Sequence, residues 1–150
     1  MIAVDTNVLV YAHREELPRH REALAALTAL AEGRERWGIP VFCLAEWLRV
    51  ITHPRLFAPP HGVEEAIEAA RRLLASPSLE ILLPGPSFPE LLLAAIGDAG
   101  ARGNLVYDAQ IVALCRESGV RELLTEDRDF ARFPRFPTRS LAPTGEVHER

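Results

Sequence analysis

Short apolar runs that alternate with longer helical stretches are the feature that most restricts the fold of this chain. The runs lie at residues 2–4, 37–42, 79–84 and 120–125, and a possible edge strand follows at 138–143. The segments between them place apolar residues at helical spacing and often end at glycine. Alternating strands and helices build βαβ units, in which neighbouring strands run parallel. We therefore predict an α/β fold with a central, mostly parallel sheet of four to five strands and helices on both faces.

The length and the hydrophobic content fit one domain spanning residues 1–150. A chain of 150 residues, 48% of them hydrophobic, can bury a full core without dividing into two units. Asp5 interrupts the first apolar run before a signal peptide can form, and no segment approaches the roughly 20 apolar residues of a membrane span. Cys43 and Cys115 lie in apolar helical patterns, which is typical of reduced core thiols. We expect a cytoplasmic protein that contacts no membrane.

The charged residues exclude several kinds of chemistry. All seventeen basic side chains are arginine, and the absence of lysine removes the phosphate-binding P-loop and Schiff-base catalysis. The net charge of -4 argues against broad non-specific adhesion to nucleic acid, but it is compatible with a local groove lined by arginine. The acids comprise sixteen glutamates and only five aspartates, so the position of each aspartate is informative.

Four acidic side chains are predicted to meet at one edge of the sheet. Asp5 follows the first strand directly, and Asp127 follows the fourth, so both lie at carboxyl ends of strands. Glu46 lies in the helix after the second strand, in an apolar setting where an unpaired carboxylate is costly. Asp108 lies near the start of its helix, where the helix dipole favours an ionised acid. Ligands of parallel α/β sheets bind outside the carboxyl ends of the strands.

Converging carboxylates are a suitable donor set for a hard cation. Mg²⁺ and Mn²⁺ prefer oxygen ligands and complete their shells with water and substrate phosphate. Closely packed negative charges repel strongly where the dielectric constant is low, and a divalent ion relieves that repulsion. We therefore predict a Mg²⁺ or Mn²⁺ site that acidifies water and stabilises charge on a phosphodiester.

Each acid taken alone also has an ordinary structural role. Asp5 is a favourable N-cap for the helix behind it, and Asp108 can cap or form an ion pair. Glu46 can pair with a nearby arginine. The acids of TEDRDF, residues 125–130, are typical of a turn, and Asp98 is assigned to the loop at a helix end. The coincidence of four acids at one edge favours the metal site.

Four segments in a fixed order resemble a known family. They are IAVDTNVLVYA, AEWLRVITHPRLF, GNLVYDAQIVAL and LLTEDRDFARFP. Together they resemble the PIN-domain ribonucleases and, within them, the VapC toxins of toxin–antitoxin operons. The resemblance implies one PIN-like domain and Mg²⁺- or Mn²⁺-dependent endonucleolytic cleavage of RNA, with a 3′-hydroxyl and a 5′-phosphate on the products. It also implies a homodimer and inhibition by a cognate VapB-like antitoxin.

The same resemblance assigns the site residues. The acids that match the family's catalytic and metal-binding positions are Asp5, Glu46, Asp108 and Asp127, with Asp129 at a fifth acidic position nearby. Thr6 and Asn7 match the polar pair after the first acid, where they would position Asp5 or a water on the metal. The sequence leaves open whether Asp127 or Asp129 faces the metal, because the turn between them decides this.

Neighbouring side chains have supporting assignments. Asn104 opens the helix of Asp108 and is predicted to cap it rather than to bind metal. Arginine matches phosphate geometry, and the candidates to meet RNA are Arg49, Arg55 and Arg128. Aromatic side chains can stack on bases, but apolar sequence settings favour core packing for Trp47, Tyr107 and Phe130.

Other proteins with an acid after the first strand fit the sequence less well. Haloacid-dehalogenase-like phosphatases need a second Asp two positions later, where this chain has Asn7, and receiver domains need a lysine. Flap-type nucleases usually carry more acids and additional helical insertions. The alternative that stays open is a PIN-fold protein that binds or processes RNA without an antitoxin, either non-catalytic or with a housekeeping role.

Overall fold

The computed structural model describes residues 1–144, in which five strands and six α-helices are found. The strands are β1 (Ile2–Val4), β2 (Trp37–Pro40), β3 (Leu79–Leu82), β4 (Glu122–Leu124) and β5 (Thr138–Arg139). The helices are α1 (Thr6–His13), α2 (His20–Glu32), α3 (Val41–Ile51), α4 (Val63–Leu74), α5 (Phe88–Ala99) and α6 (Leu105–Glu117). A 3₁₀ helix spans Arg128–Arg132, between β4 and β5.

All strand pairs in the sheet are parallel, and the strand order is β3-β2-β1-β4-β5. The chain builds outward from β1 to β3 and then crosses back to place β4 on the other side of β1. Because parallel crossovers are right-handed, this reversal puts the helices of the two halves on opposite faces. The reversal also opens a crevice beyond the carboxyl ends of β1 and β4, where α/β proteins bind ligands. The predicted fold class is confirmed, and Asp5 and Asp127 follow the two strands that flank this crevice.

Strand pairing explains why the second strand ends earlier than the sequence predicts. β1 pairs with residues 37–38 of β2, so at Pro40 the ladder continues on the β3 side alone. Proline cannot donate a ladder hydrogen bond, and it is tolerated here because pairing with β1 has already ended. Val41 and Phe42, which the sequence predicts as strand, instead form the first turn of α3.

Helix ends follow the glycine signals of the sequence to within a few residues. α2 ends directly before Gly33, and α5 ends before Gly100, which has a φ of 59°. α6 ends two residues before Gly119, which has a φ of 70°. Glycine adopts this left-handed conformation without a steric penalty, so the chain can leave both helices sharply at these points.

The core is richest in α6 and in the central strands. β1 is buried along its whole length, and residues 111–115 of α6 are all buried. Cys43 and Cys115 are buried free thiols, as their apolar sequence patterns predict. None of the helices in residues 1–144 has the length and apolar character that a bilayer crossing requires.

Truncation of the buried Ile39 should destabilise the fold, whereas the same truncation at Ile67 should have little effect. Ile39 is fully buried in β2, and Ile67 is 45% exposed on α4. Lost methyl groups and the cavity left behind should lower the free energy of unfolding of Ile39→Ala by about 2–5 kcal/mol. Ile67→Ala should change it by less than about 1 kcal/mol. Urea unfolding followed by circular dichroism measures both, and equal losses would contradict the placement of Ile39 in the core.

Candidate metal centre

Asp5 lies at the carboxyl end of β1 and accepts three hydrogen bonds. Its Oδ1 accepts from the Thr6 amide at 2.7 Å and from the Cys43 thiol at 3.5 Å, and its Oδ2 accepts from the Thr125 hydroxyl at 2.7 Å. The side chain also occupies the N-cap of α1, as predicted. Only 5% of Asp5 is exposed, and this burial raises the pKa of its carboxyl despite the hydrogen bonds, with the charge of Asp127 adding to the rise.

Three further carboxylates converge at the same edge of the sheet. Asp108 lies in the first turn of α6, Asp127 is the N-cap of the 3₁₀ helix, and Asp129 lies in the first turn of that helix. One carboxylate oxygen from each lies within 4.8 Å of the other two, and we call these three side chains the acid cluster. The Asp129 amide donates to Asp127 Oδ1 at 2.9 Å, which fixes the turn between them. The turn therefore brings both Asp127 and Asp129 into the cluster.

Burial and repulsion within the acid cluster raise the pKa of Asp108. Partial burial is the largest cause, followed by the surrounding negative charges, and together they raise this pKa from 3.8 to about 7. The charges that contribute are those of Asp127, Asp5, Asp129 and Glu46. A carboxyl that resists ionisation in this way is a place where a cation is stabilising. Because the donors are all oxygen, the cluster fits a hard divalent ion such as Mg²⁺ or Mn²⁺.

Thr125, to which the sequence pattern assigns no role, joins the two sides of the site. Its buried hydroxyl donates to Asp5 Oδ2 and accepts from the Asp127 amide at 3.0 Å, and Asn7 Nδ2 lies 3.5 Å away. One side chain thereby links the acids that follow β1 and β4. A signal for it exists in the sequence: a hydroxyl residue directly after a buried strand and two residues before an acid is placed to form a local turn.

Thr6 and Asn7 connect α1 to the other walls of the site. Thr6 Oγ1 donates to Glu46 Oε2 at 3.4 Å, and Asn7 Oδ1 accepts from the Glu126 amide at 3.4 Å. Thr6 contacts Asp5 through its main-chain amide, whereas Asn7 supports the turn that carries Asp127.

Glu46 is more exposed than its apolar sequence neighbours suggest. α3 buries three residues spaced four apart, Cys43, Trp47 and Ile51, and position 46 lies off that stripe. The Glu46 side chain is 48% exposed and lies 3.4 Å from Arg49 Nη2. The sequence predicts that an unpaired carboxylate would be costly here, and the structure avoids that cost because Glu46 faces an open cavity and pairs with Arg49.

The prediction that the Asn104 side chain caps α6 is wrong. It occupies the N-cap position, but its backbone is helical and its side chain makes no capping hydrogen bond. The first three amides of α6 already donate to the main-chain carbonyls of residues 102–104, at 3.1 to 3.3 Å. Because those amides are satisfied by the backbone, no donor is left for an Asn104 side chain to cap.

Tyr107 also differs from its prediction as a core residue. It is 66% exposed, whereas Trp47 and Phe130 are buried as predicted. The reason lies in α6, whose buried positions begin at Ala109, so that the first turn still projects beyond the core.

An open cavity of about 960 Å³ surrounds the acids. α3 lines it with residues 42, 45, 46, 49 and 50, and α6 lines it with residues 104, 107, 108, 110 and 111, so each helix presents one face. Asp5, Asp127 and Asp129 complete the acidic lining. Among the arginines predicted to meet RNA, Arg49 lines this cavity, whereas Arg55 and Arg128 are exposed outside its lining.

Comparison with known proteins agrees with this architecture. The family model for the PIN domain matches residues 2–135, which is most of the chain. The chain belongs to the PIN domain family. This PIN domain is 38% identical to ribonuclease VapC43 of Mycobacterium tuberculosis over 136 residues, which cover 91% of this chain and 92% of the relative.

Solved structures share the fold at lower sequence identity. VapBC2 from Rickettsia felis, bound to a DNA fragment from its promoter, gives a TM-score of 0.69 at 20% identity and covers 95% of this chain and 100% of that chain. VapC20 from Mycobacterium tuberculosis, a toxin that cleaves the sarcin–ricin loop, gives a TM-score of 0.65 at 19% identity. It covers 87% of this chain and 93% of that chain. The resemblance to PIN domains of the VapC type is confirmed.

The metal-free protein should lose stability as pH rises through about 7, the raised pKa of Asp108. Between the ordinary pKa of 3.8 and about 7, the folded state holds a proton that the unfolded state has released. The proton therefore contributes its whole stabilising free energy below pH 3.8, and this contribution is lost above about pH 7. With a chelator present, the Tm of the wild type should therefore fall between about pH 5 and pH 8 more steeply than that of Asp108→Asn. Scanning calorimetry across this pH range measures both slopes. Identical slopes would contradict the raised pKa.

Removal of the Thr125 hydroxyl should destabilise the folded protein, and a substitution that keeps the hydroxyl should destabilise it less. Thr125→Val leaves Asp5 Oδ2 and the Asp127 amide without their partner, which should cost about 1–3 kcal/mol of unfolding free energy. Thr125→Ser keeps the hydroxyl and should lose less. Urea unfolding at pH 8 compares the two variants, and a Val variant as stable as the Ser variant would show that the hydroxyl does not hold the site together.

Proposed function

We propose that this PIN domain is an endoribonuclease that hydrolyses RNA phosphodiesters with Mg²⁺ or Mn²⁺ in the acid cluster. The observation that carries the proposal is the convergence of three carboxylates within 4.8 Å of one another at the switch point of the sheet. The relative at 38% identity is named a ribonuclease, which supports RNA as the substrate class.

The residues of the site divide into ligands and supports. The side chains that would hold the ion through carboxylate oxygens are Asp108, Asp127 and Asp129. Asp5 and Glu46 line the same cavity and would complete the site directly or through water. When bound, the ion would acidify water for attack on phosphorus and offset the charge of the phosphodiester. Thr125 holds Asp5 in place, and Arg49 at the cavity wall is positioned to receive a phosphate of the RNA.

We further propose that the enzyme is the toxin of a toxin–antitoxin pair and acts in the cytoplasm as a homodimer. Two likenesses support this role: VapC20 is a toxin, and VapBC2 is a complex that binds its own promoter DNA. A VapB-like antitoxin would then restrain the nuclease by occupying the cavity that holds the acids. The alternative hypothesis is a housekeeping PIN-fold nuclease, which would have no such partner.

Cleavage of single-stranded RNA should require both the metal and Asp108. The wild type should cleave a labelled RNA in Mg²⁺ or Mn²⁺ and leave 3′-hydroxyl ends, and EDTA should abolish cleavage. Asp108→Asn removes a proposed direct ligand, so its rate should fall by about a hundredfold or more, beyond the loss that outer-shell partners of a metal usually cause.

Asp98→Asn is the matched control, because Asp98 is an exposed acid on α5 that does not line the cavity. It should cleave at the wild-type rate. Cleavage that survives both EDTA and Asp108→Asn would refute the mechanism. Expression in a bacterial host, with and without any small protein found encoded beside the gene, separates a toxin that arrests growth only when alone from a housekeeping nuclease.

A further inference from the structure

Tyr107 is an exposed aromatic side chain directly beside the acid cluster. It precedes Asp108 in the first turn of α6, and neighbouring Cα atoms are about 3.8 Å apart. Within residues 1–144, it is the one aromatic residue among the large hydrophobic side chains that are exposed. Core packing therefore does not account for a tyrosine at this position.

The surroundings of Tyr107 combine a flat apolar surface with amide groups. Asn104 lies one helical turn earlier on the same face of α6, and its side chain is not used as a cap. Gln110 lines the cavity from the same helix, and Phe42 lines it from α3. An aromatic ring next to side-chain amides offers a stacking face and hydrogen-bonding groups, which are what an unpaired nucleobase requires.

The charge of the cavity restricts how RNA can bind there. The described lining contains five acids and one arginine, Arg49, and the chain as a whole carries a net charge of -4. Contacts to phosphate normally provide most of the sequence-independent affinity for nucleic acid, and this lining provides few of them. Apart from the proposed metal ion and Arg49, affinity near the cut must therefore come from the bases, and bases inside a duplex present no free face for stacking.

We infer that Tyr107 is the stacking platform for an unpaired base next to the scissile phosphate, with the Asn104 amide contacting the edge of that base. The inference rests on the proposed nuclease function and assigns a base-binding residue to it. Tyr107 is then a specificity residue, and Asp108 one position later acts on the adjoining phosphate.

Binding and cleavage of one probe test the inference separately. The probe is a 12-nucleotide single-stranded RNA with 2-aminopurine at alternating positions, and its fluorescence is quenched when a base stacks. Binding is measured in Ca²⁺, with a gel to verify that the RNA stays intact. The wild type should quench the single strand, and in competition it should bind the duplex with its complement at least about tenfold more weakly. Tyr107→Ala should lose the quench and weaken binding by about tenfold or more, whereas Tyr107→Phe should retain both.

Three further variants test three points. They ask whether binding at position 107 needs an aromatic ring, whether it is separate from cleavage, and whether loss of any exposed apolar side chain has the same effect. Tyr107→Leu, which is apolar but not aromatic, should behave like Tyr107→Ala. Asp108→Asn should lose cleavage in Mg²⁺ and keep the quench. Leu93→Ala removes another exposed apolar side chain, 60% exposed on α5 and outside the cavity, and should match the wild type in every assay. In cleavage, Tyr107→Ala should raise KM more than it lowers kcat.

The outcomes distinguish failure of the inference from failure of the proposed function. A wild type that cleaves while Tyr107→Ala binds, quenches and cleaves equally well overturns the stacking role and leaves the nuclease intact. A wild type that shows the Tyr107-dependent quench without cleavage in Mg²⁺ or Mn²⁺ refutes the nuclease and supports the base platform. Equal affinity for single strand and duplex overturns the inference. So does a Tyr107→Ala variant that changes only the oligomeric state in light scattering, because Tyr107 would then contact protein.

Discussion

Strand β1 pairs in parallel with β4, with Ile2 opposite Glu122 and Val4 opposite Leu124. This pairing joins two parts of the chain whose contact residues, Asp5 and Thr125, are 120 positions apart. Because both strands run in the same direction, the residues that follow them emerge at the same edge of the sheet. The whole candidate site depends on this arrangement, since neither strand alone brings a second acid near Asp5.

The site is held together by hydrogen bonds that work against its own charge. Burial and neighbouring carboxylates raise the pKa of Asp5 and Asp108, so ionising these acids costs free energy when no cation is present. The Thr125 hydroxyl and the Thr6 amide oppose this tendency at Asp5 by donating to its carboxylate. Buried hydrogen bonds thus keep the carboxylates together despite their mutual repulsion, which supports the cation site that we propose.

Helices α3 and α6 convert the sheet edge into a cavity. Each helix buries one stripe of residues and presents another to the opening, which places Glu46 and Arg49 on one wall and Asp108 on the other. The fold itself is shared with solved structures at about 20% sequence identity. Strand order and helix placement are thus compatible with many sequences, whereas the character of the cavity walls is set by the residues of each chain.

The sequence was sufficient to predict the parallel sheet and the position of Asp5 and Asp127 at strand ends, because strand–helix alternation and residue order are local properties. Sequence position also pointed to Glu46 and Asp108, and family resemblance added Asp129; the roles of these acids at a metal stay predictions. Local patterns also predicted an Asn104 cap and core packing for Tyr107, and both predictions were wrong.

The two errors have different causes: the backbone already satisfies the amides that an Asn104 side chain would cap, whereas the exposure of Tyr107 depends on what packs against its helix. Tyr107 stands among apolar residues in sequence and yet lies in the open, since the first turn of α6 projects beyond the core. Thr125 gains its role only when β4 lies beside β1. The sequence by itself determined which elements form and where the acids follow them. Tertiary structure alone decided which side chains meet, because those contacts join residues that are distant along the chain.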